Sequence, residues 1–176
     1  MLNQLINFFW TILAFGPIGW YWGLFFAAHR SPIISIITIV FSIIVFLFPG
    51  KWFEGLALSQ NRKSYERLGL KFFRNFVQDG TLVNRYMKKR KKDFVLIRNR
   101  NEADIYLRTI AVRERFHYCC LALFSITSIC ALIDGRFGLG LLIILSNILY
   151  NVCPILLQQY NRLRIRNAFI AHNPQA

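Results

Sequence analysis

The chain has 176 residues, 55% of them hydrophobic and 16% aromatic, and a formal net charge of +14. That balance excludes an ordinary soluble domain and describes a small basic membrane protein. A bilayer core roughly 30 Å thick takes about 20 helical residues to cross, or about 17 at the short end. Four apolar stretches fit, near 5–28, 33–49, 116–133 and 137–158. The expected fold is an all-α integral membrane protein, one membrane domain over 1–176. It has about four transmembrane helices and a cytoplasmic interfacial helical segment between spans two and three, within a basic loop over 50–115.

The first stretch opens "MLNQLINFFW", with no lysine or arginine before its apolar core and no small-residue cleavage site after it. It is expected to stay as a helix rather than be removed as a signal peptide. Trp10, Trp20, Tyr21 and Trp22 are aromatics that favour the membrane interface, and Gly16, Pro17 and Gly19 are expected to kink the helix. The second stretch, "IISIITIVFSIIVFLF", offers no chemistry and reads as span and packing.

Sixteen of the 22 lysines and arginines fall within 51–113, and Arg162, Arg164 and Arg166 follow the last span. Only Arg30 and Arg136 lie in the two short turns. The positive-inside rule therefore places the long loop and both termini in the cytoplasm. Within the loop, "YERLGLKFFRNFVQDG" sets Leu68, Phe72, Phe73, Phe76 and Val77 against Arg67, Lys71, Arg74 and Gln78. This is an interfacial helix pattern, with a break near Gly69 as the alternative. "NRYMKKRKK" follows and reads first as an anchor to anionic headgroups, with a phosphate-bearing ligand as the competing reading. Nucleic acid is not expected, because the membrane already accounts for the charge.

In "NRNEADIYLRTIAVRERFHY" a helix is expected to start with Asn101 as its cap and Glu102 and Asp104 in its first turn. It can run unbroken into the third span. Glu114 and His117 then share one face at the cytoplasmic lip, about 5–6 Å apart at Cβ. A lipid headgroup and a water-soluble donor both reach that height. On the last span Asn147, Asn151, Gln158 and Asn161 form a polar stripe, for which helix–helix hydrogen bonding is an alternative reading at Asn147 and Asn151. Pro154 lies on the same helix. It removes an N–H and frees the carbonyl of Tyr150, which must find another donor inside the bundle.

Cys119, Cys120, Cys130 and Cys153 all fall in predicted spans without a C-x-x-C spacing, so free thiols packed as small apolar groups are expected. His29, His117 and His172 are too scattered to suggest a metal site, and no metal is expected.

Three segments carry a resemblance: "YERLGLKFFRNFVQDG", "ERFHY" and "NVCPILLQQYNRLR". Over about 60–166 the chain resembles the glycosyl-4,4'-diaponeurosporenoate acyltransferase family, small membrane enzymes that esterify glycosylated carotenoids. The family's Glu-x-x-His-aromatic pattern is met by Glu114, His117 and Tyr118. Its terminal Gln-x-Tyr-Asn-Arg-x-Arg is met by Gln158, Tyr160, Asn161, Arg162 and Arg164. Pro154 falls one place later than the family's proline, Leu163 stands where the family has proline, and the two N-terminal spans align poorly.

The resemblance implies transfer of a fatty acyl group to a hydroxyl of a glycosylated or other lipid acceptor, with acyl-CoA or another acyl donor as co-substrate and no bound cofactor. The residues suit such chemistry. His117 can act as general base while Glu114 fixes the ring or stabilises the imidazolium. Asn161 or Tyr160 can donate to the developing oxyanion, and Arg162 and Arg164 can hold donor phosphates. Asn151 and Gln158 complete the expected substrate-binding set. For Glu114 the alternative is an ion pair with Arg113, Arg115 or a tail arginine. Two other classes stay open: another lipid-modifying transferase, such as a small membrane methyltransferase, and a non-catalytic subunit or lipid-binding scaffold that docks a protein partner through the basic loop.

Overall fold

The structure is a computed structural model that describes residues 2–70, 97 and 99–169. Among these residues every regular element is helical: α1 (Leu2–Ala27), α2 (Ile33–Leu47), α3 (Gly50–Gly55), α4 (Arg62–Arg67), α5 (Arg100–Ile133), α6 (Phe137–Asn147), a π turn (Ile148–Val152) and α7 (Cys153–Phe169). The basic run at 85–92 and the aromatic segment at 71–77 lie outside the described residues.

Three helical stretches are long and apolar enough to cross a membrane: Gln4–Ala27, Arg100–Ile133 and Phe137–Phe169. The fourth expected span is α2, at 15 residues. With a rise of 1.5 Å per residue it is about 22 Å long, short of an average hydrocarbon core. Its buried positions are Ser35, Thr38 and Ser42, while Ile36, Ile37, Ile39, Val40, Ile43 and Ile44 are exposed. Small residues let α2 approach α5 closely, and the large aliphatic groups are left for lipid. Each hydroxyl is satisfied within the chain, on the carbonyls of Pro32, Ile34 and Thr38.

At 34 residues, α5 is about 51 Å long and outreaches the bilayer core, so the expected unbroken run from the loop into the third span is present. Its cap is Asn99 rather than Asn101: the Asn99 side chain accepts from the Glu102 N–H. At the other end Gly135, with φ +73°, closes a Schellman turn in which the Arg136 N–H reaches the Ala131 carbonyl and the Gly135 N–H reaches that of Leu132. The chain reverses there into α6, and Gly140 lies so near α5 that a Cβ would sit 2.7 Å from Leu132 Cδ2. Arg30 and the Tyr21 hydroxyl both bind Asp134 in this turn, at 2.5 Å and 3.0 Å, and tie α1 to it.

The membrane core joins Ala14, Ile18, Tyr21 and Phe25 of α1 to Cys120, Phe124 and Ala131 of α5 and Ile143 of α6. Tyr21, expected at the interface, is therefore a core residue, whereas Trp20 is exposed. All four cysteines are free, and Cys120 is buried. The expected interfacial helix is interrupted: α4 ends at Arg67, Leu68 is its exposed C-cap, and Gly69 has φ +74°. Tyr65 and Leu70 are buried instead, against Leu157 and Tyr160 of α7.

Candidate active site

Polar side chains converge where α5 meets α7 and the short helices α3 and α4 fold over both. Local sequence explains the approach of α7. Pro154 cannot donate to Tyr150, and the Cys153 N–H bonds instead to the Ile148 carbonyl five residues back. A π turn holds more residues per turn than an α-helix, so the inward face after it moves on by about one position.

That shift decides which glutamine is used. In a straight α-helix seven residues turn about 700°, which would bring Gln158 to within about 20° of Asn151. Instead the Gln158 side chain is half-buried and makes no hydrogen bond to another described residue, while Gln159 is buried. Gln159 Oε1 accepts from the Leu58 N–H and the Tyr65 hydroxyl, both at 3.1 Å. Its amide nitrogen donates to the Leu56 carbonyl at 3.4 Å and to Tyr118 Oη at 3.3 Å. Tyr118 stacks on Phe53 of α3, with ring centroids 4.8 Å apart. One amide thus pins the 56–59 connection, α4 and α5 to α7.

Glu114 is 1% exposed and forms an ion pair with Arg162, whose side chain is 9% exposed. Arg162 also lies 3.7 Å from Glu54, and Glu54 takes Arg166 at 3.2 Å on both carboxylate oxygens. Of the ion-pair partners considered for Glu114, a tail arginine is the one observed, while Arg115 lies over the Phe46 ring. Both carboxylates that Arg162 reaches, Glu114 and Glu54, belong to the chain itself. Tyr160 is likewise engaged: its buried hydroxyl donates to Glu66 at 3.0 Å, and Arg62 joins both groups. Those bonds, that of Tyr160 first and then Glu66, raise the pKa of the Arg62 guanidinium. Arg164 is exposed, with its guanidinium over the Tyr160 ring. The Asn161 side chain is half-buried and makes no hydrogen bond to another described residue.

His117 occupies the next turn of α5, half-buried between Phe116 and Tyr150. Glu114, expected to orient the ring, faces Arg162 instead. The ring is held from the last span: Nδ1 lies 3.4 Å from Asn151 Oδ1, and the Tyr150 ring stands edge-on to the imidazole with centroids 5.7 Å apart. Asn151 is fully buried and donates to Asn147 Oδ1 at 2.8 Å. The Asn147 amide nitrogen donates in turn to Ser125 Oγ at 3.1 Å and the Leu121 carbonyl at 3.3 Å.

Sequence reasoning missed Gln159, Glu54, Tyr65 and Glu66 as members of this region. A signal was available for two of them, since Glu54 and Glu66 are among only eight acidic residues in a strongly basic chain.

The bundle is a helical membrane protein with a half-buried imidazole and a buried ionic cluster at one end. The profile of glycosyl-4,4'-diaponeurosporenoate acyltransferases matches residues 49–170, well over half of the chain, and the protein belongs to that family of acyltransferases in carotenoid biosynthesis. The matched region begins before α3 and contains the whole polar cluster, leaving out α1 and α2. No curated protein and no solved structure shows a significant match.

Proposed function

We propose that the chain transfers a fatty acyl group from a thioester donor such as acyl-CoA to a hydroxyl of a glycosylated lipid, with His117 as general base. The hydroxyl oxygen attacks the thioester carbonyl as its proton passes to the imidazole. The C–S bond then breaks, and the thiolate leaves with the proton from the imidazolium. General base catalysis contributes about 10²–10⁴-fold. The observation that carries this reading is the half-buried imidazole of His117, gripped by Asn151 one turn from the buried ion pair of Glu114 and Arg162.

Asn161 is the better candidate for the oxyanion donor, because the Tyr160 hydroxyl is spent on Glu66. Arg164, exposed on the same helix, is the candidate for donor phosphates. Glu114 and Arg162 support the site as a buried clasp. The protein sits in the cytoplasmic membrane with both termini inside, a reading supported by the 16 basic residues of 51–113.

The test is turnover in vitro with a defined acyl-CoA and a glycolipid acceptor. His117→Gln keeps a hydrogen-bonding group but cannot take the proton, and should lower turnover by about 10²-fold or more at normal membrane yield. Full activity in that variant would sink the role of His117 as base.

A further inference from the structure

The amides of Asn147 and Asn151 do more than join helices: we propose that they form a relay that fixes the tautomer of His117, holding a proton on Nδ1 and leaving the lone pair on Nε2 to act as the base. The inference deepens the acyl-transfer reading and rests on it for the role of His117, though not for the tautomer itself.

Its force comes from where the chain of hydrogen bonds ends. The Leu121 carbonyl is an acceptor only, so the Asn147 group facing it must be the NH₂. Asn147 Oδ1 then necessarily faces Asn151, which must present its own NH₂ across 2.8 Å. Asn151 is left with Oδ1 toward His117, and an oxygen that can only accept requires Nδ1 to donate. Each amide's orientation follows from the one before, starting from a backbone group that cannot flip. The pair is buried, with Asn147 7% and Asn151 0% exposed, so bulk water does not compete for these bonds.

The relay also gives the π turn a role. Asn151 sits inside Ile148–Val152, the segment that Pro154 forces out of α-helical bonding. π turns often mark functional sites, and here the distorted segment presents the Asn151 amide to the ring. Asn147 and Asn151 are positioning residues: they act through the imidazole and need not touch either substrate.

The test reads the tautomer directly. His29→Gln/His172→Gln protein, labelled with ¹⁵N-histidine and held in detergent micelles, contains one imidazole. Its ¹⁵N spectrum at about pH 8, above the ordinary imidazole range, should show Nδ1 protonated and Nε2 bare. Asn151→Leu should shift the ring toward the other tautomer and lower kcat about tenfold or more, with little change in KM for the donor. Asn151→Asp restores an acceptor opposite Nδ1 and should return the Nδ1–H signal. A spectrum with the proton on Nε2 in the unsubstituted relay overturns the proposal whether or not the Asn151 variants fold. The expected tautomer together with a fully active His117→Gln enzyme would uphold the relay and overturn the general-base role of His117 alone.

Discussion

Removing Arg162 while leaving Glu114 in place should damage the protein more than removing both. Their side chains are 9% and 1% exposed, so each depends on the other for compensation of its charge. Breaking such a pair from one side costs about 3–5 kcal/mol, whereas replacing both partners by apolar groups of similar size is often near neutral. The two single variants should differ. Arg162→Met strands Glu114, whose other carboxylate oxygen, Oε1, is buried with no hydrogen-bond partner among the described residues. Glu114→Leu leaves Arg162 still 3.7 Å from Glu54, a carboxylate 45% exposed, and should cost less. At about 2–4 °C per kcal/mol for a chain of this length, Arg162→Met should lower the midpoint of thermal unfolding by about 6–20 °C. Glu114→Leu/Arg162→Met should recover much of that loss. The assay is a double-mutant cycle of unfolding midpoints in detergent micelles, with acyl transfer measured on the same samples. If the two losses simply add, the pair is not coupled and the clasp is wrong. If the double variant is stable but has lost its affinity for the acyl donor, Arg162 touches the donor after all, as the sequence had suggested.

Arg164→Ala should raise KM for the acyl donor more than it changes kcat, as loss of a uniform binding contact requires, and steady-state kinetics over a donor series will show it. Gln159→Leu leaves the Leu58 N–H without its acceptor, at about 1–3 kcal/mol for a group that water cannot reach, while the Tyr65 hydroxyl keeps only the Ser59 carbonyl. Hydrogen exchange should then quicken at residues 56–65 while the α1–α5 core stays protected. The Arg30 hydrogen bond holds the Asp134 carboxyl below its ordinary value of 3.8, so the stability it lends is present above that value and is lost as pH falls through the lowered one. Unfolding midpoints between about pH 5 and pH 2 should therefore drop more steeply in the natural protein than in Asp134→Asn. Cysteines placed at 85–95 should react with impermeant reagents only from the cytoplasmic side, and labelling from outside would reverse the proposed orientation.

Much of this protein is fixed by composition and local pattern. The apolar stretches at 5–28, 116–133 and 137–158 are long helices because a lipid environment requires every backbone group to be bonded within its own segment. The continuous α5 was readable from the absence of any breaker between Asn99 and Ile133, and the break at Gly69 from the residue itself. The Glu-x-x-His pair of Glu114 and His117 was visible as two polar side chains one turn apart.

Spacing along one helix could not say what each of them faces. Glu114 pairs with Arg162, 48 residues away, and His117 meets Asn151, 34 residues away. Those partners depend on how α7 is rotated against α5, a rotation that a fixed helical period carried past Pro154 gives wrongly. The missing N–H at Pro154 opens the π turn, and the turn advances the inward face by about one residue. Gln159 and Arg162 then lie inside, while Gln158 and Asn161 are left half-buried. A helix's apolar period is written in its sequence, but the phase between two packed helices belongs to both of them, and only their contact sets it.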